Sequence, residues 1–390
     1  MKKAILPFIL LILSIYSLYG QKAKVVVLGV GHSSQLVNYH QQPAAIRAFI
    51  TKVDPVSICI ERSPEEFSKN DFYEFTYEQQ YLIVPFAKQL NKRLYPIDWL
   101  PSEAEMDLAF GLKDLEKPRF VRQKSGFLGF TTFAQASELE EGLYFADQQK
   151  FADSIASWYG TYPKATAFDF PRRLFLYRTF LQSKRIQKVL EGHGPSDTVL
   201  VVIGAFHKKD IERNLEQNGY QVIQPSSFGP VSDQEIRNNF RREDACAVLA
   251  FNLLGMQAEL DGTNSRLVDT ALKFLVGDPS VEAAFFRARH SVLTGRMSPA
   301  QAVDSYGKLL ARADKEVFTW NGVRDGSRVD SYFDPFGNLP LAKRIRLEMA
   351  REYRKWSKES EAGKHIGLVL DGLGDYKKSM LEVYLGKYLH

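Results

Sequence analysis

Cysteine is nearly absent: the 390-residue chain carries two, Cys59 and Cys246. So small a supply excludes a miniature scaffold held by a disulfide framework. Cys59 lies inside the apolar run Val56-Ser57-Ile58-Cys59-Ile60, where a thiol packs as a small hydrophobe. An excess of one charge is missing too. Lys and Arg number 51 against 46 Asp and Glu, a net charge of +5, which falls short of the basic surface that nucleic-acid binding requires. After the first twenty residues no apolar run reaches the ~20 residues of a membrane-crossing helix. No repeat of fixed period and no low-complexity tract occurs, which excludes solenoid and collagen-like architectures. What is present is ordinary: 45% hydrophobic, 13% aromatic and 25% charged residues. At roughly 100–200 residues per domain, the length allows two to three domains, or one large domain with an elaboration.

Met1-Lys2-Lys3 precedes an apolar run from Ala4 to about Leu18, which ends at Tyr19-Gly20-Gln21. A basic start, a short apolar core and a small residue before a polar one form the pattern of a secretory leader; the run is short for a membrane anchor. Residues 1–20 are therefore expected to be a signal peptide, and the mature chain to be exported, periplasmic or secreted, without a stable membrane span. No cysteine follows the run, so a bacterial lipid anchor is not supported.

Val25-Val26-Val27-Leu28 leads to Gly29-Val30-Gly31 and reads as a buried parallel strand. Helical spacing over Ala44–Val53, a break at Asp54-Pro55 and a second apolar run at Val56–Ile60 complete a β-α-β opening. A helix is expected from Tyr77 to about Leu90 and a short strand at Arg93–Asp98. Residues 101–170, rich in Phe, Gly and charge, read as an inserted lobe. A helix from about Pro171 to Leu190 precedes the strand Thr198–Ile203. A helix over Ile211–Asn218 and an edge strand at Tyr220–Ile223 follow. Beyond Pro230 the apolar spacing is helical throughout. The expected fold is thus α/β: a mixed, mostly parallel sheet with flanking helices over 22–230, and a helical region over 231–390, whose charged amphipathic helix near Leu341–Glu348 reads as a solvated face.

Two strands end alike, in Gly29-Val30-Gly31-His32 and Gly204-Ala205-Phe206-His207, where a glycine's backbone freedom would permit the sharp exit from the strand. In an open parallel sheet the C-terminal strand edges are where ligands bind, so both imidazoles can reach one crevice. Glu61 also terminates a strand, and a carboxylate placed directly after Ile58-Cys59-Ile60 requires a compensating cation. Singly, each of these residues is most simply a hydrogen-bonded side chain or a helix cap. Together, His32, Glu61 and His207 form a two-histidine, one-carboxylate set that leaves coordination positions open for a divalent metal ion and water. His193, His290, His40, His365 and His390 have no comparable partners. A dinucleotide-binding turn competes for Gly29-Val30-Gly31, but its third glycine position holds Ser34, and Glu61 lies beyond the usual ~20 residues.

The paired Gly-x-x-His motifs, the strand-ending Glu between them and the helix before the second motif resemble the TIKI/TraB/PrgY/GumN family, itself similar to erythromycin-esterase and ChaN-like proteins. Arg178-Thr179, Ile186, Thr198–Ile203, Gly204-Ala205-Phe206-His207 and Gly219-Tyr220-Gln221-Val222 follow that family's order, and Tyr95-Pro96-Ile97-Asp98 is similar to its strand ending in Asp. The resemblance covers about residues 22–225. Thr179 stands where the family has Asn, Arg62 follows Glu61 where a Leu-Asp pair is common, and Gly31 is extra. The resemblance implies a metal-dependent hydrolase, peptidase-like in the animal members. His32 and His207 would hold a divalent ion of the Mn, Co or Zn type with Glu61 as ligand or general base, and Arg178 and Asp98 would orient the carboxylate or a peptide or small-molecule substrate. The alternative that the same residues allow is a ChaN-like haem or small-ligand binding protein without catalysis.

Overall fold

The computed structural model describes residues 22–102, 130–133, 139–161, 170–260, 263–323 and 325–389. The expected leader, residues 1–20, and most of the inserted lobe lie outside them. Five strands, β1 (Lys24–Val30), β2 (Ser57–Ile60), β3 (Arg93–Pro96), β4 (Thr198–Gly204) and β5 (Gln221–Ile223), form one sheet in the order β3-β2-β4-β1-β5. Every pairing is parallel; Leu28 lies opposite Val202, and Ile60 opposite the same residue from the other side. All strands therefore end at one edge, and that edge carries the ends of β1, β2, β3 and β4 that the sequence marks.

Alternation along the strands sends side chains to two faces. Val25, Val27, Cys59, Val199, Val201 and Ile203 pack with Ile186 of α5 (Phe170–Leu190) and with Ile211 and Leu215 of α6 (Ala205–Gln217). Val26, Leu28, Ile58, Ile60, Leu200 and Val202 face the other way, toward Ile46 and Phe49 of α1 (Pro43–Val53). The short helices α2 (Pro64–Ser68) and α3 (Val84–Gln89) connect β2 to β3, and α4 (Gln149–Gly160) precedes α5.

The helix expected over 77–90 opens instead as a π-helical segment, Glu78–Ile83, before α3. Pro85 has no N–H to donate into the turn behind it, and a widened turn accommodates that loss. The segment turns Glu78 and Gln79 into the interior, where both are fully buried. A second difference concerns α6. It starts at Ala205, immediately after β4, so His207 belongs to its first turn rather than to a bend.

After residue 230 come eight further helices among the described residues, α7 (Asp233–Asn239), α8 (Arg242–Leu249), α9 (Ser265–Phe274), α10 (Val281–Leu293), α11 (Pro299–Ala313), α12 (Leu341–Lys355), α13 (Glu359–Leu370) and α14 (Asp375–Tyr388). No helix among the described residues is long and apolar enough to cross a membrane. The helical region shares its core with the sheet: Val26, Leu28 and Phe49 belong to the same apolar cluster as Ile236, Phe251, Phe336 and Leu385. Two polar contacts pin the junction. The Arg47 guanidinium of α1 grips the Asp244 carboxylate of α8 through both nitrogens, Nη2 to Oδ1 at 2.6 Å, with both side chains buried. Asn252 Nδ2 donates to the Leu36 carbonyl at 2.6 Å.

Removing one partner from a buried ion pair leaves the other charge unsolvated and costs about 3–5 kcal/mol. Asp244→Ala should therefore lower unfolding stability by about that amount in a denaturant titration. A chain ended at residue 230 should aggregate, because it exposes the apolar face of α1 and the sheet.

Candidate active site

Glu61 stands one residue past β2 with its side chain only 3% exposed. Two hydrogen-bond donors and two imidazoles meet it. The Gly204 N–H, at the end of neighbouring β4, donates to Oε2. Arg178 Nη2, reaching across from α5, donates to Oε1 at 2.8 Å. The two imidazoles lie one by each oxygen: His32 Nε2 is 3.6 Å from Oε2 and His207 Nε2 is 3.7 Å from Oε1. Burial drives the Glu61 carboxyl upward from its ordinary range, an effect that His32, Arg178 and the Gly204 N–H oppose.

Each imidazole is fixed by its other nitrogen. His32 Nδ1 donates to Glu78 Oε1 at 2.7 Å, and the same carboxylate accepts from the Ser33 N–H at 3.3 Å. Thr179 Oγ1 donates to the Phe175 carbonyl at 2.7 Å, so at 2.6 Å it accepts from His207 Nδ1–H. That hydrogen bond assigns the His207 tautomer and leaves an Nε2 lone pair, which accepts from Arg178 Nη1 at 3.3 Å. Phe175, one turn before Thr179, stacks on the ring with centroids 4.7 Å apart. The two histidines consequently differ in charge. Burial lowers the affinity of His32 for its proton, but the Glu78 and Glu61 carboxylates override it and raise the pKa to about 9. At His207 burial goes unopposed, and Arg178 and His32 add to it, so the ring stays neutral well below its usual value.

Arg178 is shared. Its Nε and Nη2 grip Asp98 Oδ1 and Oδ2 at 2.8 and 2.6 Å, and Gln182 Nε2 donates to Oδ1 at 2.7 Å. Phe175, Arg178, Thr179 and Gln182 fall at helical spacing on one side of α5. His32 and Arg178 are the members of the set that reach solvent, with 21% and 25% of their side chains exposed. The five residues singled out in the sequence, His32, Glu61, Asp98, Arg178 and His207, thus meet in one cluster. Glu78 was not among them, and neither were Thr179 and Gln182 as contacts. The available signal for Glu78 was its place four residues before Leu82, on a face otherwise apolar.

Gly204 carries a correction of cause. Its φ is −51°, an ordinary value for any residue, so backbone freedom does not explain the glycine. Space does: a Cβ there would lie 2.8 Å from His32 Nε2 and 3.2 Å from Glu61 Oε2. Among the described residues no three His, Cys, Asp or Glu side chains stand as a ready metal site. The cation that meets both Glu61 and His207 is Arg178.

The sign of the pH dependence follows. A pKa raised from about 6.5 to about 9 makes His32 stabilising, fully so below about 6.5, with the contribution lost as pH rises through about 9. His207 acts oppositely, its stabilising neutrality present above about 6.5 and lost as pH falls. In thermal melts of chelator-dialysed protein, the advantage of wild type over His32→Asn should be greatest near pH 6 and shrink toward pH 9.

No family model, no curated protein and no solved structure matches the chain.

Proposed function

We propose that the chain is an exported, metal-dependent hydrolase, peptidase-like, of the TraB/GumN type. One observation carries this reading: both imidazoles are anchored through Nδ1, and each places Nε2 near a different oxygen of the same buried carboxylate. A metal-ligating imidazole almost always donates its far N–H to an outer acceptor, most often a carboxylate, a carbonyl or water, because that hydrogen bond sets the tautomer and strengthens the donor. The donor set fits in kind. Holding an ion among His32, Glu61 and His207 requires His32 to give up its Nε2 proton and Arg178 to loosen its contacts with Glu61 and His207. A divalent ion there would supply the positive charge that polarises a carbonyl and acidifies water.

The chain's own groups provide the rest. Burial gives Glu61 a carboxyl more basic than a surface one, which suits it to take a proton from water. Arg178, held by Asp98, keeps a quarter of its side chain exposed, and on loosening its contacts with Glu61 and His207 its guanidinium can receive the oxygen of a substrate carbonyl or carboxylate. Asp98 positions Arg178 and does not itself touch the open side, being 2% exposed. The export reading rests on the basic start and apolar run of residues 1–20.

Dialysed protein supplied with manganese, cobalt or zinc should retain about one ion per chain by elemental analysis, and His207→Ala should retain far less. Glu61→Gln should lower hydrolysis of a peptide and ester panel by about 100-fold or more, the contribution of a general base. Retention of no ion, together with an intense visible band on adding haem that disappears in His32→Ala, would overturn the hydrolase in favour of a ligand-binding protein.

A further inference from the structure

An ion held among His32, Glu61 and His207 needs a lone pair from each of them. Two of the three residues already give one to a single side chain. Arg178 Nη2 donates to Glu61 Oε1 at 2.8 Å, and Nη1 donates to His207 Nε2 at 3.3 Å. The two acceptors are not equivalent. A carboxylate has about four acceptor positions and can serve two cations, whereas the unprotonated nitrogen of a neutral imidazole has a single lone pair. Thr179 accepts from the His207 Nδ1–H, so Nε2 is the nitrogen left to accept. At that atom the ring can serve Arg178 or an ion, and not both.

The anchors decide which group can move. His207 is fixed by Thr179 and stacked on Phe175, both on α5, the helix that also carries Arg178. Asp98 is fixed as well. Its carboxylate accepts from Gln182 Nε2 at 2.7 Å and from the Trp99 N–H at 2.8 Å, and its own N–H donates to the Arg62 carbonyl at 3.0 Å. Arg178 grips Asp98 along one edge of its guanidinium, through Nε at 2.8 Å and Nη2 at 2.6 Å. The contacts with Glu61 and His207 come from the other edge, Nη1 and the second Nη2 hydrogen. A quarter of the side chain is exposed. By turning on its Nε contact with Asp98, the guanidinium can release its outer edge and remain tethered.

We propose that Arg178 is a built-in competitor of the metal ion: it occupies the His207 lone pair in the metal-free protein, and an ion that takes this lone pair turns the guanidinium outward on its Asp98 tether. The proposal rests on the metal-dependent reading of the site and gives one residue two successive tasks. Without an ion, Arg178 supplies the positive charge that buried Glu61 requires. With an ion in place, the released N–H groups are left for a substrate oxygen. A residue that merely steadied the ligands from outside would act in the opposite sense, because removing such a partner weakens metal binding.

The test is zinc chloride titrated into the dialysed full chain at one fixed pH, followed by calorimetry and by proton–nitrogen spectra of the arginine side chains. Arg178→Gln, whose amide can still donate to Asp98, should bind zinc at least about tenfold more tightly than wild type, since the ion no longer displaces a charge-assisted hydrogen bond. In wild type, the Arg178 Nη signals should lose their separate, locked positions as zinc binds, while the Nε–H signal held by Asp98 persists. Zinc bound by wild type with those Nη signals unmoved, or bound no more tightly by Arg178→Gln, overturns the competition and leaves the metal reading standing. Zinc bound by Arg178→Gln alone upholds the competition and counts against the hydrolase. Zinc bound by neither overturns both. If Arg178→Gln fails to fold, the wild-type spectra decide by the same criteria, and absence of zinc from wild type then overturns both.

Discussion

A carboxylate at the end of a buried strand is the constraint around which this structure is arranged. Glu61 follows Ile58-Cys59-Ile60, all without exposure, and its side chain stays inside the protein. An isolated buried carboxylate would neutralise or prevent folding, since removing a charge from water costs several kcal/mol. The sheet answers with the Gly204 N–H from the adjacent strand, α5 answers with Arg178, and the ends of β1 and α6 bring an imidazole to each oxygen. The second tier follows from the first. Arg178 needs Asp98 because one carboxylate does not satisfy a buried guanidinium, and the positive charge on His32 is maintained by Glu78. Gly204 has to be glycine because the space a methyl group would fill already holds His32 and Glu61.

The same logic of compensated burial joins the helical region to the sheet. Arg47 and Asp244 close the contact between α1 and α8, and deeper in the helical region Arg344 donates to Asp334 at 2.7 Å and to Glu348 at 3.2 Å. Such pairs contribute little net stability but penalise any packing that separates the partners. Together with an apolar cluster that runs from Val26 to Leu389, they make the helical region a structural partner of the sheet. Tyr332 and Arg328 extend that partnership to the loop beside His32.

Much of this was legible in the chain. Strands β1, β2 and β4 declare themselves as β-branched runs, and because parallel strands end together, the residues that terminate them had to share an edge. Hence His32, Glu61 and His207 could be grouped without coordinates, and Arg178 and Asp98 entered through a resemblance over the preceding helix and the third strand. Glu78 was harder to read: a lone acid on an otherwise apolar face marks it as unusual, but its approach to His32 depends on the π-helical segment Glu78–Ile83, which helical spacing does not specify. The continuity of the core across residue 230 escaped for a related reason. Composition reports the change from strands to helices, whereas the burial of Arg47 against Asp244 is a contact over 197 residues of sequence. Gly204 was marked correctly for the wrong reason, since sequence alone does not separate a need for backbone freedom from a need for space.

The central claim is that both imidazoles are anchored at Nδ1 and offer Nε2 to Glu61. Long-range proton–nitrogen correlation spectra of the histidine rings, recorded at neutral pH on dialysed protein and again after one equivalent of zinc, test it directly. The account predicts a neutral His207 protonated at Nδ1 and a doubly protonated His32, with zinc shifting the Nε2 signals of both while both Nδ1 protons remain. A His207 protonated at Nε2 before zinc, or zinc that moves neither ring, would contradict it.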